Sequence, residues 1–349
     1  MAESDIVATE TERVELALDG AFRISRGSTV STTNHLVTVT DSAGRVGLGG
    51  AAPAAYYDED GDSVAAALPA LLAAAEAVGD PGLGQVLEAR LRERAPDEAA
   101  ARAAVSVAVH DLRARQRGEP LYRRWGLDPG RAPVTSVTVG IDDPAGMGER
   151  AGNWREAGYP VLKVKLGTDD DRRRLMAVRE AVPEARLRVD ANGDWHADEA
   201  IEALSWLADL DVELLEQPVP ADDIAGLARV TERAPMPVAA DESCVTAADV
   251  PAVADAVDVV VVKLMKCGGL RPARRQIAAA HAHGLDTMLG CMVETSASIA
   301  GAAHLAPLVA YADLDGALLL AGDPCEGLSL ADGQLSPGAV AAGTGVRRR

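Results

Sequence analysis

The sequence predicts an α/β protein: a (β/α)8-type barrel of parallel strands, in a modified (β/α)7β form without its last helix, joined to a smaller α+β capping domain. Three observations predict it. From Pro133 onward, short apolar runs alternate with amphipathic segments at the spacing of one strand plus one helix. Five of these runs end on an ionisable residue, Lys165, Asp190, Glu216, Asp241 and Lys263, at intervals of 25, 26, 25 and 22 positions. The length of 349 residues exceeds one average domain but accommodates a barrel of roughly 200–250 residues with a companion.

Taken in order, residues 12–18 and 35–41 alternate as strands, and a turn at 41–44 leads into a third at 45–49. Residues 63–78, 83–94 and 97–117 are Ala- and Leu-rich with helical spacing, the last carrying Val105, Val109 and Leu112 on one face. The glycines at 47, 49 and 50 and at 268 and 269 complete no phosphate-binding pattern and read as turns. The barrel then begins with a strand at 134–139, a helix stopped by Gly158, a strand at 161–165 and a helix opened by Asp169, Asp170 and Asp171. Helices carrying Ile201, Leu204 and Leu207, then Ile224, Leu227 and Val230, then Val250, Val253 and Val257, separate the next strands. Strands at 285–289 and 313–319 bring the count to eight. After Leu319 the chain turns polar and rich in Gly and Pro. The division expected is a capping domain at 1–128, a barrel at 129–319, and a tail at 320–349 that packs back on the cap.

Composition narrows the function. Lys and Arg number 34 against 53 Asp and Glu, a net charge of −19, which argues against nucleic acid or an anionic membrane surface as partner. No stretch approaches the ~20 apolar residues of a transmembrane helix, and the amino-terminal residues are acidic rather than signal-like, so a cytoplasmic protein is expected. Cys244, Cys267, Cys291 and Cys325 lack a paired spacing and read as free thiols of a reducing compartment.

The charges at the strand ends carry the chemistry. Alternation puts Lys163 and Lys165 on one face of strand 2, while Lys263 ends strand 6, directly across a ring of eight. Asp190, Glu216 and Asp241 line the arc between them. Three converging carboxylates would repel one another, and a hard divalent cation relieves that repulsion; Mg²⁺ is the natural occupant. Such a site suits removal of a proton α to a carboxylate, with the metal neutralising the enolate and a lysine of lowered pKa as the base. With a lysine on each side of the α-carbon, one takes the proton and the other returns it, so configuration inverts. Asp313 and Asp315, two apart on strand 8, would hold an ammonium group.

Lys-x-Lys at 163 and 165, Asp-x-Asn at 190 and 192, Glu-Gln-Pro at 216–218, Asp-Glu-Ser at 241–243 and the lone Lys263 together resemble the enolase superfamily, in its muconate-lactonising-enzyme subgroup. The resemblance spans nearly the whole chain. It implies Lys165 and Lys263 as the acid/base pair, Lys163 as electrostatic support, Asp190, Glu216 and Asp241 as ligands of one Mg²⁺ per subunit, and Asn192 as support for Asp190. The pair Asp313 and Asp315 resembles the dipeptide epimerases of this subgroup, where it binds the substrate's amino end. An isomerase that inverts the carboxy-terminal residue of a dipeptide is implied, with L-Ala-D/L-Glu as the family-level substrate. Residues 22–27 resemble the cap loop of the Ala-Glu type, so Arg26 would meet a side-chain carboxylate. Thr138 would offer a hydroxyl to the substrate, and Cys291 stands in the substrate-binding group where many members carry Ser. Glu294 supports Lys263 or the ammonium, or equally makes a structural hydrogen bond. Gly50 departs from the frequent Gly-x-Gly-Glu of the family. Members often form symmetric assemblies, which leaves a homo-oligomer open.

Rival readings have less behind them. A cycloisomerase or o-succinylbenzoate synthase would use the same lysines and metal, but its substrate has no amino group for Asp313 and Asp315. A Schiff-base aldolase would use Lys263 alone and leave the carboxylate triad without a task. A metal- or ligand-binding barrel that has lost turnover would not need both lysines.

Overall fold

The computed structural model describes residues 4–336 and 342–349; residues 1–3 and the stretch of the tail at 337–341 lie outside the described residues. β1 (Ile6–Ile24) and β2 (Gly27–Asp41) form a long antiparallel hairpin, and β3 (Val46–Ala51) extends it beside β2. These strands run well past the 12–18 and 35–41 read from the sequence: Phe22 pairs with Thr29 and Ile24 with Gly27, so only Ser25 and Arg26 form the turn. The stretch 28–33 is Ser, Thr and Val only, residues whose weak polarity hides a strand but whose branching favours one.

Helices α1 (Gly61–Val78), α2 (Gly84–Arg94) and α3 (Ala99–Arg117) cover this sheet. The glycines of β3 are strand residues, not turns. A Cβ on Gly47 would fall 2.1 Å from the Ala108 carbonyl and one on Gly49 2.1 Å from that of Ala104, so glycine lets β3 lie directly on α3. Contrary to the composition argument, α1 is long and apolar enough to cross a membrane, with mean hydropathy 1.4. Here its Val64, Leu68, Leu71 and Leu72 are buried in the cap.

The parallel sheet follows in sequential order: β4 (Val137–Val139), β5 (Val161–Lys165), β6 (Arg186–Asp190), β7 (Val212–Glu216), β8 (Val238–Ala240), β9 (Val259–Lys263), β10 (Asp286–Gly290) and β11 (Tyr311–Asp313). It closes on itself, since the Ser136 amide donates to the Ala312 carbonyl at 3.0 Å and Thr135 bridges Ala312. Between strands lie α4 (Pro144–Glu156), α5 (Asp171–Ala181), α6 (Ala197–Asp209), α7 (Ile224–Thr231), α8 (Val250–Val253), α9 (Leu264–Cys267) and α10 (Leu270–Ala282), with α11 (Ser296–Ala303) after β10.

Two elements differ from the sequence reading. Val250, Val253 and Val257 are all buried, but α8 ends at Val253 and a turn buries Val257, so burial follows the helical period where the hydrogen bonds do not. The last strand is 311–313 rather than 313–319, and residues 316–319 form a 3-10 turn. The chain turns at Gly316, where a Cβ would fall 2.0 Å from the Met292 carbonyl.

Strand alternation then sets the site. Leu214 lies two residues before Glu216, Val261 two before Lys263 and Ala239 two before Asp241, and these form the apolar layer inside the barrel with Val259 and Met288. The opposite faces, Leu187, Val189, Leu215, Val260 and Val262, join the core beneath the helices. The tail adds a small pairing of β12 (Cys325–Glu326) with β13 (Arg347–Arg348). It reaches the cap where Asp111 accepts from the Thr344 amide at 2.6 Å and Arg348 meets Glu12 at 2.6 Å.

Candidate active site at the barrel mouth

Lys163, Lys165, Asp190, Glu216 and Lys263 sit at the carboxyl ends of β5, β6, β7 and β9, and Asp241 directly follows β8. All are buried, with Asp190 and Glu216 at 0% exposure. Lys163 Nζ donates to Glu216 Oε1 at 2.8 Å and to Asp313 Oδ2 at 2.9 Å, and lies 3.1 Å from Asp190 Oδ2. Lys165 Nζ donates to Asp190 Oδ2 at 2.6 Å, and Lys263 Nζ to Asp241 Oδ2 at 2.8 Å. Lys165 and Lys263 stand on strands four apart in the closed sheet and both line one cavity of about 590 Å³.

These contacts set the charges. Burial opposes ionisation of Asp190, but Lys165 and Lys163 outweigh it and hold the carboxyl well below its usual range. Asp241 is held low in the same way by Lys263 and Lys266. Glu216, whose burial is reinforced by the charge of Asp190, is pushed up to about 8. The lowered pKa expected of a base is not found at Lys263. Burial works against the charge of Lys263, yet Asp241 beside it holds its pKa above the ordinary lysine value; Lys163 is raised as well, by Asp313, Glu216 and Asp190.

Among the described residues no three side chains already form the tight cluster of a bound ion; each carboxylate carries a lysine ammonium instead. The donor set nevertheless fits a hard divalent cation. It is wholly carboxylate oxygen on consecutive strands, and Glu216 Oε2 accepts no hydrogen bond although Lys163 Nζ lies 2.8 Å away. Mg²⁺ is the ion that Asp190, Glu216 and Asp241 would hold. Asn192 supports Asp190, its amide donating to Oδ1 at 2.8 Å and its Nδ2 to Oδ2 at 3.2 Å.

The acidic pair on the other side is differently built from what alternation implied. Only Asp313 is in a strand. Its Oδ1 accepts from Ser136 Oγ at 2.6 Å, and Lys163 takes its Oδ2, which overcomes burial and keeps it ionised. Asp315 lies past the strand end and accepts the Thr138 amide at 2.6 Å; burial and the charge of Asp313 push it up to about 7. Both line the cavity with Thr138 and Cys291. Thr138 is turned to Asp315, and the Cys291 thiol accepts from the Gly316 amide at 3.3 Å, its pKa raised by burial and Asp315. Glu294 does not line the cavity: it accepts the Met292 amide at 2.9 Å within its own loop, and burial pushes it up to about 7. This hydrogen bond is the structural one, and the charge of Lys263 also acts on the Glu294 carboxyl.

The hairpin tip roofs the mouth. Phe22, Ile24 and Arg26 line the cavity, and the Ile141 amide donates to the Arg23 carbonyl at 2.8 Å, pinning the tip to the barrel. Arg26 does not stand free: its guanidinium pairs with Glu242 at 2.8 Å, donates to the Asn192 carbonyl at 2.8 Å, and lies 4.4 Å over the Tyr56 ring.

Three residues around Asp241 have no part assigned from the sequence. Lys266, fully buried, donates to Asp241 Oδ1 at 2.6 Å and to the carbonyls of Asp241, Cys244 and Val261. Gln217 Oε1 accepts the amides of Asp241 and Ser243, fixing the turn that presents Asp241. Glu242 receives Arg26. The Glu-Gln-Pro and Asp-Glu-Ser motifs were the available signal for two of them.

Comparison with known proteins agrees with this geometry. The family described as enolase C-terminal domain-like matches residues 146–346. The L-Ala-D/L-Glu epimerase of Bacteroides thetaiotaomicron is 36% identical over 324 residues, covering 92% of this chain and 83% of that protein. The L-Ala-D/L-amino acid epimerase of Pedosphaera parvula is 39% identical over 340 residues, 94% of each. The crystal structure of the dipeptide epimerase from Enterococcus faecalis complexed with Mg and L-Leu-L-Tyr superposes with a TM-score of 0.92 at 32% identity, covering 99% of this chain and 100% of that one. By sequence and by fold, the chain belongs to the enolase superfamily, among its dipeptide epimerases.

Proposed function

We infer that this protein is a Mg²⁺-dependent dipeptide epimerase, inverting the α-carbon of the carboxy-terminal residue by proton transfer between Lys165 and Lys263. The observation that carries the reading is the opposition of these two lysines across one cavity, with three carboxylates on the arc between them and Asp313 and Asp315 on the other side. When bound to Asp190, Glu216 and Asp241, the ion supplies positive charge against the negative charge that develops as the α-proton leaves. Lys165 and Lys263 each address one face of the α-carbon, one removing a proton and the other delivering one. Lys163, bonded to Glu216 and Asp313, adds positive charge between the metal side and the ammonium side. Asp315 with Asp313 binds the substrate's α-ammonium, which a cycloisomerase substrate lacks.

The dipeptide preference we propose is L-Ala-D/L-Glu, with Arg26 receiving the side-chain carboxylate. Such a substrate must take Arg26 from Glu242, so the Arg26→Met variant should lose kcat/KM for acidic dipeptides more than for apolar ones.

The deciding experiment incubates the Mg²⁺-loaded protein with L-Ala-L-Glu and a panel of L,L-dipeptides in D₂O. Deuterium should enter only at the α-carbon of the carboxy-terminal residue, with L,D product accumulating and EDTA abolishing both. No exchange across a broad panel would refute the reading.

A further inference from the structure

A second cavity, of about 330 Å³, shares no lining residue with the one at the barrel mouth and lies between α2 and α3 of the cap and the start of α10 of the barrel. Its size falls within the roughly 300–1,000 Å³ typical of small-molecule sites. Its walls carry four guanidiniums, Arg92, Arg102, Arg271 and Arg275, and a single carboxylate, Glu88. Glu88 is already shared: Arg271 Nε reaches it at 3.1 Å and Arg275 Nη2 at 2.5 Å. In a chain of net charge −19, this concentration of positive charge is local and runs against the whole.

Arg102 is the more buried of the two that no carboxylate neutralises. Its Nη1 donates to the carbonyls of Ala95 and Pro96, each at 2.5 Å, and among the described residues neither it nor Arg92 has a carboxylate at ion-pair distance. Burial lowers its pKa, Glu59 offsetting this only at longer range. A half-buried guanidinium bonded only to neutral carbonyls is costly unless something anionic joins it. Its head lies against Gly268, where a Cβ would fall 2.9 Å from both Nε and Nη2, so the glycine keeps the wall open around it. The remaining titratable walls do not supply negative charge. Burial pushes the Cys267 thiol up to about 11 and His110 down to about 4, so both are neutral at pH 7. His110 Nδ1 donates to the Ser106 carbonyl at 2.7 Å, which leaves Nε2 of the neutral ring as a hydrogen-bond acceptor.

The cavity continues outward into a groove that shares Glu88, Arg92, Pro96, Arg271 and Arg275 with it. The groove adds Gln85, Ala89 and Glu93, the last paired with Arg90, so an anionic head fits inside and a polar body along the groove.

We propose that this cavity is a binding site for a small phosphorylated molecule, its phosphate held by Arg102, Arg92, Arg271 and Arg275. Planar guanidinium forks match phosphate oxygens bidentately, and a dianion balances more of the excess charge than a single carboxylate would. The His110 acceptor suits a ligand hydroxyl.

The test uses the full-length, Mg²⁺-loaded protein at low ionic strength, titrated calorimetrically with sn-glycerol 3-phosphate, inorganic phosphate and, as control, glycerol. The ester should bind at one site per chain, more tightly than inorganic phosphate, and glycerol not at all. Because Arg102→Gln removes bonds to Ala95 and Pro96 and risks the fold, the rim double variant Arg92→Gln/Arg275→Gln is the main probe. It should weaken the ester at least tenfold while leaving epimerisation and thermal unfolding unchanged. Tighter binding of inorganic phosphate than of the ester would assign the site to free phosphate and overturn the organic ligand. No saturable binding, binding unaltered by the double variant, or binding displaced by dipeptide would overturn the site. A change of sedimentation behaviour in the double variant would show instead that an acidic segment of a second copy fills the cavity.

Discussion

At the scale of single residues, the site depends on who holds each charge. Lys165 rests on Asp190 and Lys263 on Asp241, so each base is tied to a carboxylate of the metal side. Replacing either by Ala should lower epimerisation by about 10²- to 10⁴-fold. Each variant should still exchange the α-proton of the one configuration that the remaining lysine addresses, which NMR in D₂O reads directly. Asp315 makes a pH prediction. Its carboxyl is pushed up to about 7, so it is neutral below that pH and charged above it. An ammonium needs the charged form, so kcat/KM should fall as pH drops through about 7; in Asp315→Asn that limb should vanish along with most of the turnover. The strand-end positions of Lys165, Asp190, Glu216 and Lys263 were legible because alternation and charge are local features. Lys266 was not, because its task of holding Asp241 is visible only once β8 and α9 are side by side.

At the scale of elements, the sequence foretold helices better than the ends of strands. A helix bonds to itself, so α3 and α6 follow from period alone. A strand ends where its partner ends, and this is how β1 and β2 came to run up to the Ser25–Arg26 turn and β11 to stop at Asp313. The glycines of β3 show the same dependence, since their need comes from α3, more than fifty residues on. Gly49→Ala should push strand and helix apart and destabilise the protein by about 1–3 kcal/mol, measured by urea unfolding. The folded fraction should keep its epimerase kinetics, because β3 brings no side chain to the acid/base pair; a neutral substitution would disprove the close approach.

At the scale of the molecule, Asp111 joins three distant segments. Its fully buried carboxylate accepts the Leu48 amide at 2.9 Å, Arg115 Nε at 2.9 Å and the Thr344 amide at 2.6 Å. Asp111→Ala leaves Arg115 and two amides without their acceptor and should cost about 3–5 kcal/mol. Limited proteolysis should then cut the carboxy-terminal tail before the barrel, whereas simultaneous loss would show that the tail is not anchored by this residue. The sequence by itself determined the barrel, the order of its strands and the charges on its rim, because strand and helix periods and the alternation of side chains are written within a few residues of each other. Tertiary structure alone decided which charges meet: that Lys163 bridges the carboxylates to Asp313, that Glu242 holds Arg26, that the hairpin roofs the mouth, and that four arginines crowd a cavity between cap and barrel. Lys163 stands 27 positions from Asp190 and 150 from Asp313, and Arg26 stands 216 from Glu242, so only closure of the ring and docking of the cap bring these groups together.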